Sequence, residues 1–157
     1  MLWYELCDDI AVSLIPKNGT HTLSQVTKPL SKDIVLYPQR VAFFREPIER
    51  LQSAFFFFRW LQYQRVHYEN DAVFENLASY EDFVDYALEF DDAHWKPQVE
   101  LIGDWTEILS VKQISQFIYD KIGLVPPSDN SVLKFDINSD YRKTELMRYY
   151  AGDYKWL

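Results

Sequence analysis

Ile10-Ala11-Val12-Ser13-Leu14-Ile15-Pro16-Lys17-Asn18-Gly19-Thr20-His21-Thr22 is the stretch from which the fold is read. Its first six residues are mostly apolar and rich in β-branched side chains, as in a strand buried on both faces. Pro16 stops the strand, and Lys17-Asn18-Gly19 supplies a small-residue turn. A helix then opens near Thr20 or His21. A buried strand that runs through a tight turn into a helix is the first part of a β-α-β unit, and such units build parallel sheets flanked by helices.

The pattern continues outward. Ile34 to Tyr37 and Arg40 to Phe44 are strand candidates on either side of Pro38, and the second leads through Arg45-Glu46 into Pro47, a residue favoured at the first helical position. From Pro47 to about Tyr68 no glycine or proline intervenes, and Leu51, Ala54, Phe55, Phe58 and Leu61 recur at helical spacing. Tyr80 to Phe90 reads as a further helix and residues 91–97 as a loop. Trp105 to Leu109 reads as a short strand, followed by a helix over Val111 to Ile122 closed by Gly123. Val132 to Phe135 is a candidate last strand and Tyr141 to Tyr150 a last helix. The expected fold class is therefore α/β: one domain over residues 1–157, with a parallel sheet flanked by helices and ligands at the carboxyl ends of its strands. Phe55, Phe58, Phe83 and Phe117 are expected in the core.

Composition narrows function. With 48% hydrophobic and 25% charged residues the chain is globular, and its net charge of −8 excludes a general nucleic-acid coat, which needs a basic surface. An anionic ligand must then be held by a local pocket. The single cysteine, Cys7, cannot form an internal disulfide, so a reducing, cytoplasmic setting is expected. No stretch has the length of a membrane span, and Glu5, Asp8 and Asp9 occupy the place of a signal peptide's apolar core. The acidic runs Glu69 to Asp71 and Asp91-Asp92 read as solvated surface. Partners expected on these grounds exclude nucleic acid and include no integral membrane segment; the oligomeric state is not legible.

Two constellations carry chemistry. In the opening stretch, a turn at a helix start with Gly19, the hydroxyls of Thr20 and Thr22 and the charge of Lys17 suits a phosphate. The lysine precedes the glycine, unlike the Walker arrangement. In Phe43-Phe44-Arg45-Glu46-Pro47-Ile48-Glu49-Arg50-Leu51-Gln52-Ser53, Arg45 sits where a strand enters a helix, and Arg50 and Ser53 share a helix face. Guanidinium and hydroxyl together make a second anion niche. Arg50 is read instead as pairing with Glu46 and Glu49 on a wet surface.

Taken in order, these segments resemble the sulfotransferases that use 3′-phosphoadenosine 5′-phosphosulfate (PAPS), and more closely the carbohydrate-type branch that includes the heparan and chondroitin sulfotransferases. Asp92-Ala93-His94-Trp95-Lys96-Pro97-Gln98, Ile122-Gly123-Leu124 and the tail from Asn138 through Tyr149-Tyr150-Ala151-Gly152-Asp153-Tyr154 are similar to later segments of that family. The resemblance runs from about Ile10 to the C-terminus and implies a P-loop-like sulfotransferase fold in minimal form. It implies PAPS as donor substrate without a metal, with Lys17, Asn18, Gly19, Thr20, His21 and Thr22 at the 5′-phosphosulfate and Arg45 with Ser53 at the 3′-phosphate. The stretch between Thr22 and Arg40 is short for the family, no membrane anchor of the family's usual kind is expected from residues 1–157, and the family's Golgi location is not expected to transfer.

The reaction implied is in-line transfer of a sulfuryl group to an acceptor hydroxyl of a small molecule or glycan, with Lys17 neutralising charge on the leaving nucleotide. His94 is the first choice as base, with Glu89, Asp91 or Asp92 as alternatives. His21 is expected at the phosphate and His67 at the surface. The charge of −8 favours a neutral or cationic acceptor over a polyanionic glycan. Trp95, Trp156, Tyr149 and Tyr150 are read first as packing residues and, where exposed, as candidates to stack on a sugar. A nucleotide-dependent phosphotransferase and a catalytically silent binding domain of the same fold are the alternative readings.

Overall fold

The computed structural model describes residues 2–68, 71–127 and 136–157. Four strands, β1 (Trp3–Cys7), β2 (Ile10–Ser13), β3 (Gln39–Phe44) and β4 (Glu107–Ser110), form one sheet in that order. β2, β3 and β4 run parallel, with Val12 opposite Val41 and Ala42 opposite Ile108. β1 is antiparallel to β2, so the sheet is mixed rather than all parallel. The cause is local: only Asp8-Asp9 joins the two strands, and so short a connection can only make a hairpin.

Helices α1 (Thr20–Ser24), α2 (Pro47–Tyr63), α3 (Ala72–Glu75), α4 (Tyr80–Glu89), α5 (Gln98–Leu101), α6 (Ile114–Ile122), α7 (Lys143–Tyr149) and α8 (Ala151–Tyr154) complete the described residues. Side chains alternate along β3. Val41 and Phe43 face a cluster with Leu23, Ile114, Phe117 and Ile118, so α1 and α6 cover that side. Ala42 and Phe44 face the other, with Tyr37 and Ile102. A third cluster binds α2 to α3, α4 and α7 around Phe55, Phe58, Phe83 and Trp95.

Three expectations change. Ile34–Leu36 is a 3₁₀ turn, not a strand: the Asp33 carboxylate accepts from the Val35 N–H at 3.2 Å, and Val35 and Leu36 are exposed. The turn chemistry of Asp33 outweighs the β-branched run. α2 ends at Tyr63, because Arg65 takes the left-handed conformation (φ 55°) while the N–H groups of Arg65 and Val66 return to the carbonyls of Gln62 and Leu61, both at 3.1 Å. This is the helix ending usually built on glycine. The last helix breaks at Tyr150 into α7 and α8. The strand expected over Val132 to Phe135 lies outside the described residues.

Candidate active site

β2 and β3 are adjacent and parallel, so the segments leaving their carboxyl ends emerge side by side. The first carries Lys17 and the second Arg45. Lys17 adopts a left-handed backbone (φ 68°), a conformation that costs a non-glycine residue about 1–2 kcal/mol. Its Nζ lies 4.1 Å from the centre of the Phe57 ring on α2, a cation–π contact. The loop around it is shaped from within. Thr20 Oγ1 donates to the Ile15 carbonyl at 2.8 Å, so the Thr20 hydroxyl proton points into the loop instead of outward as expected. Asn18 is 1% exposed and donates Nδ2 to the Phe43 carbonyl at 2.7 Å and to Gln98 Oε1. Asn18 thus holds the loop against β3. Gly19 has φ 75°, and a Cβ there would lie 2.5 Å from Ile114 Cδ1, so any other residue would be strained in its backbone and would have to displace the Ile114 side chain. His21 is exposed and Thr22 half-exposed.

Arg45 Nη1 donates to the Lys17 carbonyl at 3.3 Å, and Nε stands 3.9 Å from the Glu49 carboxylate. The remaining N–H groups of its fork have no hydrogen-bond partner among the described residues. Burial lowers its pKa, which leaves a charged group in a partly dry setting. Ser53 is half-buried further along α2.

Arg50 departs from its surface reading. It is fully buried, and Nε, Nη1 and Nη2 donate to the carbonyls of Pro16 (3.0 Å), Lys96 (2.7 Å) and Ala93 (2.6 Å). Burial pushes its pKa down to about 10, still far above neutrality. It ties the Lys17 loop to residues 93–96.

His94 Nδ1 is 2.7 Å from Asp92 Oδ1 and 3.1 Å from the Tyr68 hydroxyl, which itself donates to Asp92 Oδ2 at 3.1 Å. Nε2 has no hydrogen-bond partner among the described residues. The imidazole stacks on Phe57 (centroids 5.6 Å apart, planes at 18°). Lys17 and His94 therefore lie against the same phenyl ring. Burial raises the Asp92 pKa, but hydrogen bonds from the His94 side chain and N–H, with help from Tyr68, leave it net below the usual carboxylate value. Asp92 is not solvated surface as the sequence suggested; Asp91 is, near Lys96 (3.7 Å) and the Tyr149 hydroxyl (2.7 Å). An aspartate on Nδ1 orients the ring and leaves Nε2 to accept a proton. His67 is exposed, as expected.

One central residue carried no role in the sequence reading beyond its place in a motif. Gln98, fully buried at the start of α5, bonds to Asn18, to both backbone groups of Arg45 and to Asp153 of α8. Its place after His94-Trp95-Lys96-Pro97 was the available signal. Trp95 and Tyr150, candidates for sugar stacking, are buried, and the Tyr150 hydroxyl donates to the Trp95 carbonyl. Trp156 is half exposed and edges onto Trp105. A hollow of about 360 Å³ lined by Phe55, Arg59, Ser79 and Tyr80, among others, lies apart from Lys17, Arg45 and His94. No helix among the described residues is long and apolar enough to cross a membrane. Comparison with protein-family models, with curated proteins and with solved structures finds no match to this chain.

Proposed function

We propose that the chain is a PAPS-dependent sulfotransferase with a P-loop-like fold in minimal form, acting on a hydroxyl of a carbohydrate or glycoconjugate. The observation that carries this reading is the meeting of Lys17 and Arg45 past adjacent parallel strands, joined by the 3.3 Å bond from the Arg45 guanidinium to the Lys17 carbonyl. Two cations from separate segments suit a ligand with two separate anionic groups, and the donor's 5′-phosphosulfate and 3′-phosphate are such a pair.

The chemistry follows from these groups. The acceptor oxygen attacks sulfur in line as the bond from sulfur to the bridging phosphate oxygen breaks, and the electron pair leaves on the nucleotide phosphate. Lys17 neutralises that developing charge. His94 Nε2 takes the acceptor proton, and Asp92 stabilises the resulting imidazolium through Nδ1. Arg45 and Ser53 would hold the 3′-phosphate. Asn18, Gly19 and Thr20 shape the loop, and His21 and Thr22 border it.

Transfer of labelled sulfate from PAPS to a panel of saccharide acceptors tests the proposal. Lys17→Ala is expected to keep the fold and lower transfer ~10²–10³-fold, the scale of a lost electrostatic donor. His94→Ala is expected to remove the acidic limb of the pH–rate profile. Turnover close to the unaltered protein's in Lys17→Ala would remove Lys17 from the mechanism, and a retained acidic limb would exclude His94 as base.

A further inference from the structure

Both cationic segments are held by one side chain that touches neither cation's charged group. The Gln98 carboxamide accepts at Oε1 from Asn18 Nδ2 and from the Arg45 N–H (2.9 Å), and donates through Nε2 to the Arg45 carbonyl (2.9 Å) and to Asp153 Oδ2 (3.0 Å). Its orientation is determined, because a backbone N–H can only donate and a carbonyl can only accept. Asp153 then takes the Gln98 and Val99 N–H groups, each at 2.9 Å, on its two oxygens. Gln98 and Asp153 are fully buried, and Asn18 nearly so.

We infer that Gln98 and Asp153 are positioning residues that fix the spacing of the Lys17 loop relative to Arg45, and hence selectivity for a nucleotide with anions at both ends. This rests on the sulfotransferase reading for the identity of that nucleotide, though not for the link itself. Sheet register alone does not set the spacing, since the pairing of β2 with β3 goes no further than Val12 opposite Val41. The Gln98 amide joins the loop to both backbone groups of Arg45, beside the bonds from Asn18 to the Phe43 carbonyl, from Arg45 to the Lys17 carbonyl and from Arg50 to the Pro16 carbonyl, and Asp153 couples α8 to this link. A buried network in which each member satisfies the next has a single low-energy geometry.

The test compares, by calorimetry on the full chain, affinities for 3′-phosphoadenosine 5′-phosphate and for AMP, which lacks the 3′-phosphate. Gln98→Leu keeps most of the volume and removes the cross-link. The bisphosphate affinity is expected to fall ~10–100-fold, as when supporting partners of a site are lost, while AMP changes less than about threefold. An equal loss for both nucleotides, or selectivity unchanged in Gln98→Leu, would overturn the inference. If the Leu variant does not fold, Gln98→Asn, which withdraws the same amide by one methylene, is read in the same way. Should the unaltered chain bind neither nucleotide, the sulfotransferase reading fails, and hydrogen exchange in Gln98→Asn judges the link. Faster exchange at the Arg45 amide with β2 and β3 protection intact sustains it; unchanged exchange there, or protection lost throughout the sheet, overturns it.

Discussion

At the scale of single residues, two positions behave in ways their types do not announce. Gly19 is needed both for its left-handed φ and because Ile114 occupies the space a Cβ would take. Gly19→Ala should destabilise the protein by about 1–3 kcal/mol, read as a lowered denaturation midpoint with unchanged slope. Arg50 shows the opposite situation, a long cation drawn wholly inside to satisfy three carbonyls. Replacing it with methionine leaves those oxygens without donors, and a loss of about 3–5 kcal/mol is expected. Arg50→Lys should recover only part, since an ammonium cannot span the same fork of acceptors. A methionine variant as stable as the parent would mean that the three carbonyls find other donors.

At the scale of elements, the segment between α1 and β3 is pinned to β1 by Glu5. This buried carboxylate meets Lys28 Nζ at 2.8 Å and accepts from the hydroxyls of Ser31 and Tyr37. The Lys28 contact, then Ser31 and Tyr37, bring its pKa from 4.5 to about 2. Because the folded-state pKa is depressed, this stabilisation is complete above about pH 4.5 and is lost as pH falls toward 2. Glu5→Gln should flatten the pH dependence of the urea midpoint in that window; an acid limb identical to the parent's would count against the assignment. The same element shows why part of the fold was illegible. Ile34 to Tyr37 has a strand's composition, but Asp33 curls it into a turn and Tyr37 is drawn in to meet Glu5. Arg65 ends α2 in a conformation for which arginine gives no signal.

At the scale of the whole molecule, the order strand, cationic loop, strand, arginine, helix was readable, because periodicity and proline placement report backbone state directly. β2, β3 and the start of α2 follow it closely. Partnership was not readable. Whether Arg50 paired with nearby glutamates or with distant carbonyls, and whether Asp92 faced water or His94, depended on packing between segments far apart in sequence. The antiparallel edge strand β1 was similarly hidden in a stretch whose acidic residues drew notice for other reasons.

The central claim is that Lys17 and Arg45 grip one doubly anionic nucleotide. A calorimetric titration of the unaltered protein with 3′-phosphoadenosine 5′-phosphate, set beside ATP and AMP, tests it most directly. The account predicts a single site with clear preference for the 3′-phosphorylated nucleotide, weakened by Lys17→Ala and by Arg45→Ala alike. Preference for ATP, or no binding of the bisphosphate, would contradict it.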